Sequence, residues 1–233
     1  MALSLQTKPM RFMGFVSVIH SHRNDREDAK SMEYEIMTVA EIPDWNLIPQ
    51  ARIATYAWGG DYRPLAWARL CFVPRRGFFL RLECEETDPK ATYEKTNDPV
   101  CKDSCMEAFL NLKPELPGSG YLNLEANAKG TLLCGYGRDR YGRKSLGDLG
   151  APYPAVTPFI SASSWGWEAE IPLPLLRQVY GEAEFVPGDR LKGNFYKCGD
   201  ETEPPHYGSW SPIQNPTPDF HRPEGFGDLV IRP

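Results

Sequence analysis

The stretch YLNLEAN at residues 121–127 alternates apolar and polar side chains along its whole length. The apolar set is Leu122, Leu124 and Ala126, and the polar set is Asn123, Glu125 and Asn127. Because successive side chains of a β-strand point to opposite sides, this alternation predicts a strand with one face against a core.

The same period of two recurs in about ten runs, which Pro, Gly, Asn and Asp residues separate. The runs are residues 32–39, 51–58, 65–73, 78–86, 105–112, 121–127, 130–136, 165–173, 191–198 and 226–231. This succession is typical of an antiparallel β-sandwich or barrel. One short helix is predicted at residues 172–181, with prolines at its start and Gly181 at its end. Residues 24–31 suit either a charged loop or a helical turn. No internal repeat or linker divides the chain, so we predict one domain over residues 1–233.

Composition excludes several classes of partner. The chain has 233 residues, of which 41% are hydrophobic, and a net charge of −5, which argues against a nucleic-acid surface. The basic stretch GRDRYGRK at 137–144 is interleaved with Gly, Asp and Tyr and predicts an exposed loop. No window approaches the roughly 18 apolar residues of a membrane span, and no signal peptide is visible. We expect a cytoplasmic protein, or a secreted one if a signal has been removed.

Six cysteines lie mostly inside apolar runs, at positions 71, 84, 101, 105, 134 and 198. We expect buried, reduced thiols. Cys101 and Cys105 could reach one zinc ion with His206 and His221, but no C-x-x-C or paired-histidine spacing supports such a site, and we predict no metal ligands.

The polar face of residues 121–127 has two interpretations. Asn123, Glu125 and Asn127, joined by Glu107 of the 105–112 run, form either a solvated outer face or a surface for a polyhydroxylated ligand. Sugar hydroxyls both donate and accept hydrogen bonds, so amides and carboxylates can pair with them.

Two tryptophans lie where strands give way to loops rich in Gly and Pro. Trp58 precedes GGDYRP, and Trp210 lies in HYGSWSPIQNPTPDFHRPEGFGDLVI at 206–231. Each can be a core residue or a platform on which the apolar face of a sugar ring stacks. We expect His206 and His221 to anchor this loop or lie at its rim.

Evidence for catalysis is weak. Glu168 and Glu170 lie on one face of a predicted strand, and two carboxylates could hydrolyse a glycoside, but only if they flank the substrate. No G-x-S-x-G motif or nucleotide-binding glycine loop is present. A glycoside hydrolase using Glu168, Glu170 or Glu107 is therefore an alternative to a binding protein.

Several stretches in order resemble carbohydrate-binding family 9-like domains, from about residue 30 to the end. They are DWNLIPQARIATYAW, YRPLAWARLCF, FFLRLECEETDPKATYEKTNDPVCKDSCMEAFLNL, GYLNLEANAKGTLL, WEAEIPLPLL, LKGNFYKCGDETEPPHYGSWSP and HRPEGFGDLVI. The order and spacing of these stretches, more than any one of them, make the resemblance.

The resemblance implies an all-β fold, an immunoglobulin-like antiparallel β-sandwich of the DOMON-type group with one short helix. It also implies sugar binding without cleavage, with Trp58 and Trp210 as stacking residues. The polar candidates are Glu107, Asn123, Glu125, Asn194, Arg81 and Arg138. Structural calcium is possible in the family, although Asp98, Asp103, Asp139, Asp148 and Asp200 are scattered here and form no calcium loop.

We therefore predict a non-catalytic protein that recognises a mono- or oligosaccharide, with no nucleic-acid or membrane partner. A glycoside hydrolase is a candidate protein partner, because family 9 modules accompany such enzymes. The alternatives are a glycoside hydrolase, an accessory subunit of one, or a structural sandwich that binds another protein.

Overall fold

The computed structural model describes Met1, residues 32–41 and residues 43–233, and Ser31–Pro233 forms one compact unit. The prediction for residues 24–31, and most of the N-terminal part of the predicted domain, lie outside the described residues. The strands are β1 Glu33–Thr38, β2 Ala51–Ile53, β3 Thr55–Gly59, β4 Ala66–Val73, β5 Gly77–Cys84, β6 Cys105–Asn111, β7 Tyr121–Asn127, β8 Leu132–Gly137, β9 Lys144–Ser145, β10 Val156–Ile160, β11 Trp165–Pro172, β12 Arg190–Gly199, β13 His206–Ser209 and β14 Gly227–Arg232.

The strands form a curled mixed sheet in the order β10-β11-β5-β4-β1-β14-β12-β6-β7-β8-β9, with β2, β3 and β13 beside it. The all-β prediction is confirmed, but the purely antiparallel arrangement needs a correction. Strand β1 pairs in parallel with both β14 and β4, so it joins the two halves of the sheet. The remaining pairs are antiparallel, as in β6 with β7 and in β4 with β5.

The main core lies between the two halves of the sheet. Leu80 and Leu82 of β5 meet Leu122 and Leu124 of β7 in one buried cluster, together with Trp167 of β11. These are the inward positions that the alternation predicted. Burying each such side chain contributes about 1.5–3 kcal/mol, so the period-two pattern itself accounts for the sandwich.

Each of the ten predicted runs contains a strand, and residues 51–58 supply two, β2 and β3. Three strands were not predicted: β9, β10 and β13, the last inside the stretch that we took as a loop. The helix α1, Leu173–Tyr180, is confirmed. Gly181 ends it with a left-handed φ of 84°, which glycine adopts without steric cost, and donates its N–H to the carbonyl of Arg177. No helix in the described part of the chain is long and apolar enough to cross a membrane.

The two outer faces of the sandwich differ. We call the outward side of β6, β7 and β12 the covered face, because the chain after β13, residues 211–226, lies across it as a covering segment. Ile213, Phe220 and Phe226 of this segment pack on Phe109 and Tyr121 in a second buried cluster. The outward side of β4, β5 and β11 is more accessible, and we call it the open face.

Candidate functional site

A cavity of about 220 Å³ lies between the covered face and the covering segment. Its lining residues are Cys101, Glu107, Phe109, Glu125, Arg140, Cys198, Asp200, Tyr207, Pro218, Asp219, Phe220 and His221. The cavity floor comes from adjacent strands, because Glu107 of β6 is the register partner of Glu125 of β7. Every residue of β7 is buried, so the alternative of a solvated outer face is excluded.

The two carboxyl groups on the floor are almost fully buried. Burial, reinforced by the charge of Glu125, raises the pKa of Glu107 well above its ordinary value. Burial also raises the pKa of Glu125 to about 7, although a hydrogen bond from Asn123 opposes the shift. Buried carboxyls of this kind cluster at binding and catalytic sites, because they are costly unless a ligand or proton satisfies them.

Asn123 positions the carboxyl group of Glu125 on the cavity floor. Its Nδ2 donates a hydrogen bond of 2.6 Å to Oε1 of Glu125, and its Oδ1 accepts one of 3.0 Å from the N–H of Gly135 in β8. The backbone of β8 therefore fixes the amide orientation, and the amide in turn holds one carboxyl oxygen. Of the predicted polar residues, Glu107, Asn123 and Glu125 are brought together here.

One wall of the cavity is aromatic. Tyr207 of β13 is half-buried, and Phe220 of the covering segment stacks on Tyr196 at 4.2 Å between ring centroids. Trp58 packs behind this wall, with its ring centroid 6.5 Å from that of Tyr207 and 6.1 Å from that of Phe220. Trp58 also donates from Nε1 to the carbonyl of Asn215, at 2.8 Å. The predicted stacking residue Trp58 thus supports the aromatic wall and ties down the covering segment.

Ionic and imidazole groups hold the covering segment in place at the cavity rim. Arg140 forms a 2.9 Å ion pair with Asp219. His221 Nδ1 lies 2.8 Å from the hydroxyl of Tyr121. Burial, with the neighbouring charge of Arg143, lowers the pKa of His221 to about 4, so the ring is neutral at pH 7. His221 is therefore the loop anchor and rim contact that the sequence predicted.

The structure corrects the prediction that Trp210 is a sugar-stacking residue. Its side chain is 4% exposed and packs in the main core against Tyr34 and Phe195, at 6.3 and 5.7 Å between centroids. The backbone N–H of Trp210 donates to the carbonyl of Phe195. This hydrogen bond continues the pairing of β13 with β12 by one residue and turns the indole inward. Trp58 and Trp210 therefore belong to different clusters, and a ligand cannot stack on Trp210.

Three predicted polar residues lie apart from the cavity lining. Asn194 uses its amide to hold Ser211, donating to its carbonyl at 2.9 Å and accepting from its N–H at 2.8 Å. Arg81 lies on the open face and pairs with Glu83 at 3.1 Å. Arg138 is exposed and donates to the carbonyl of Gly118. None of the three residues lines the cavity.

The open face carries the carboxylates considered for catalysis, but these are paired. Glu168 pairs with Arg81, and Glu170 pairs with Arg76 at 2.5 Å. A shallow groove of about 510 Å³ on this face is lined partly by Trp45 and by Arg81. It is larger than the cavity, but it has no buried carboxyl without a basic partner, because Glu83 in its lining pairs with both Arg69 and Arg81.

The cysteine prediction is confirmed, since all six thiols are free and five are buried. The zinc set considered from sequence is not supported: His206 contacts Nζ of Lys197 at 2.5 Å, and His221 contacts Tyr121. Within the described residues, the group that could hold a metal ion is instead Cys105, Glu107 and Cys198.

This donor set does not suit the calcium that the family resemblance raised, because Ca²⁺ takes six to eight oxygen ligands. Asp103 accepts hydrogen bonds from the backbone N–H groups of Thr92 and Tyr93, and Asp148 accepts one from Ser145. These carboxylates hold loops together. The Cys105, Glu107 and Cys198 group therefore does not fit calcium, and structural calcium stays a prediction.

The sequence interpretation missed much of the cavity: Asp200, Tyr207, Asp219, Phe220 and Arg140. A signal was present, because the quoted 206–231 stretch contains the two aromatic residues and Asp219. Its polar and proline-rich composition concealed that His206–Ser209 is a strand, whose alternation places Tyr207 and Trp210 on opposite sides.

Comparisons with known proteins identify the family and the fold of the chain. Residues 38–231 match the model of carbohydrate-binding family 9. No curated protein sequence matches the chain. Among solved structures, a protein from Bacteroides uniformis described as a candidate carbohydrate-binding protein is 26% identical, with a TM-score of 0.72 over 87% of this chain and 100% of that one.

Two structures of a family 9 carbohydrate-binding module from Caldicellulosiruptor kristjanssonii share the fold, each with a TM-score of 0.58 over 86% of this chain. The cellotriose complex is 10% identical over 94% of its own length, and the glucose complex 12% over 96%. The family model covers most of the chain, including both floor glutamates and the covering segment. The chain belongs to carbohydrate-binding family 9.

Proposed function

We propose that the protein binds a mono- or oligosaccharide in the cavity under the covering segment, without cleaving it. The observation that carries the proposal is the pair of buried carboxyl groups, Glu107 and Glu125, beside an aromatic wall. No lysine or arginine in the described part of the chain forms an ion pair with either group. Each carboxyl group accepts one hydrogen bond from the protein, and its remaining acceptor positions can be satisfied by water or by ligand hydroxyls, which both donate and accept.

The aromatic wall supplies the apolar half of the interaction. A pyranose ring has a C–H face that can lie against Tyr207, while its hydroxyls reach the floor. At about 220 Å³ the cavity is smaller than the roughly 300–1,000 Å³ typical of drug-sized ligands, which favours one sugar residue, such as the end of a chain. The cellotriose and glucose complexes of the fold relative support a glucose-type ligand.

The same geometry favours binding over hydrolysis. Glycoside hydrolysis needs two carboxyl groups that lie on opposite sides of the scissile bond. Glu107 and Glu125 instead lie side by side on one floor, on neighbouring strands. We expect no release of chromophore when the protein is incubated with chromogenic glycosides, and turnover that Glu107→Gln abolishes would contradict a binding role.

The direct test is a glycan array followed by calorimetric titration of the best ligand. Glu125→Gln keeps the shape of the side chain but replaces one oxygen with a donor, and we expect at least a tenfold loss of affinity. The matched control is Glu168→Gln, a glutamate of the open face, which should bind like the wild type. Equal affinity of Glu125→Gln and wild type would overturn the proposed site.

A further inference from the structure

The cavity floor contains a second chemical feature beside the sugar-facing carboxyls. Cys105 of β6 and Cys198 of β12 are register partners, and both lie on the outward side of the sheet with Glu107. One donor atom from each of the three residues lies within 4.8 Å of the other two. Cys198 Sγ is 2.9 Å from Oε1 of Glu107. Two sulfurs and a carboxylate oxygen thus converge at one point.

This spacing suits a small tetrahedral ion. Zinc binds sulfur at about 2.3 Å and carboxylate oxygen at about 2.0–2.2 Å, so neighbouring tetrahedral donors lie about 3.5–3.8 Å apart. The three side chains could reach these separations by shifts of roughly an ångström, without moving the strands. Cys198 and Glu107 line the cavity, which gives an ion a route to the site.

The charge around these donors favours a cation. Glu125 and Asp200 line the same cavity. Lys197 belongs to β12 too, but its Nζ is held by Ser104 and His206. Acidic residues therefore gather at the floor. Lys197 Nζ donates to the backbone carbonyl of Cys198, but no basic side chain of the described residues hydrogen-bonds to the side chain of Cys105, Glu107 or Cys198.

We propose that Cys105, Glu107 and Cys198 form a binding site for a zinc-class divalent cation at the cavity floor. Two thiolates and one carboxylate make a donor set that zinc prefers and calcium does not. The ion displaces the two thiol protons, and that of Glu107 where it is protonated, to solvent, and a fourth coordination position faces the cavity.

Cobalt(II) is the probe. Reduced protein, first treated with a chelator and desalted, is titrated with Co²⁺ under a reductant that does not bind metals. We expect one equivalent to bind, with near-ultraviolet thiolate-to-cobalt absorption corresponding to two sulfurs and the intense visible bands of tetrahedral coordination. Zn²⁺ should displace the cobalt. Absence of stoichiometric binding, or a spectrum without thiolate absorption, would overturn the site.

Variants assign the ligands. Cys198→Ser and Cys105→Ser should each remove about half of the thiolate absorption and weaken zinc binding at least tenfold. The matched control is Cys71→Ser, which changes a buried thiol of β4 in another cluster and should bind as the wild type does. Circular dichroism checks that each variant folds, and Cys198→Ala serves if the serine does not. Full cobalt absorption in a folded Cys198 variant would contradict the assignment.

The test is independent of sugar binding, because the metal titration is run without saccharide and the sugar titration is run in chelator. Sugar binding without cobalt binding would refute the metal site and leave the proposed function standing. Cobalt binding without sugar binding would refute the proposed function and leave the metal site standing.

Discussion

The covered and open faces of the sandwich contain similar glutamates in opposite circumstances. On the open face, the side chains of Glu168 and Glu170 are about a third exposed and each is paired with an arginine. On the covered face, Glu107 and Glu125 are buried without a basic partner among the described residues. Alternation along the strands is the same in both places. The difference comes from the covering segment, which excludes water from Glu107 and Glu125, whereas Glu168 and Glu170 keep about a third of their side-chain surface exposed.

This contrast indicates where a ligand can gain binding energy. An exposed ion pair contributes little, with a median of about 0–1 kcal/mol, and a ligand that replaces it must first break it. A buried carboxyl without a basic partner is already desolvated, so a hydroxyl that reaches it gains a hydrogen bond at small cost. Burial by the covering segment, more than residue type, therefore distinguishes the cavity floor from the open face.

The largest predicted effect distinguishes the core from the cavity wall. Trp210→Ala removes a buried indole from the main core, and we expect the free energy of unfolding to fall by about 3–5 kcal/mol in chemical denaturation. A loss below about 1 kcal/mol would mean that Trp210 is not a core residue.

The next effect concerns pH. Burial lowers the pKa of His221 to about 4, so between pH 6.5 and 4 the unfolded chain binds more protons than the folded protein, and stability falls as pH falls. His221→Gln removes this proton uptake. Denaturation at pH 7 and pH 4 should show that the variant loses less stability than the wild type, by on the order of 2 kcal/mol. Parallel pH profiles would contradict the burial of His221 between the covering segment and Tyr121.

A smaller effect tests the aromatic wall. Tyr207→Ala should weaken binding of the best saccharide at least tenfold, or about 1.4 kcal/mol, by calorimetry. Its loss of stability should be smaller than that of Trp210→Ala, because Tyr207 is only half-buried. The matched control is Trp67→Ala on the open face, and a greater loss of affinity there would place the sugar in the open groove.

The smallest effect is expected for the open-face ion pairs. Glu170→Gln breaks the pair with Arg76, and because both side chains are about a third exposed or more, the free energy of unfolding should change by less than about 1 kcal/mol. Thermal and chemical denaturation measure it. A loss above about 2 kcal/mol would remove the contrast between the two faces.

The sequence was informative wherever local pattern decides structure. Alternation placed Leu80, Leu82, Leu122 and Leu124 in the core, and Gly181 marked the end of α1. The polar row of β7 was also visible, because Asn123 and Glu125 interrupt an otherwise apolar strand. These features depend on neighbours within a few residues, which a single sequence displays.

The remaining features depend on pairing between distant segments. The inward direction of Trp210 follows from the register of β13 on β12, which local composition does not reveal. The convergence of Cys105 and Cys198 follows from the pairing of β6 with β12. Whether a polar row is solvated depends on the path of residues 211–226, a long loop whose course only the folded chain defines.

A crystal structure of the protein with its best saccharide ligand tests the central claim most directly. We predict that the sugar lies in the cavity, with hydroxyl oxygens within hydrogen-bond distance of Glu107 and Glu125 and a ring face against Tyr207. A sugar seated in the groove of the open face, between Trp45 and Trp67, with none in the cavity would contradict the account.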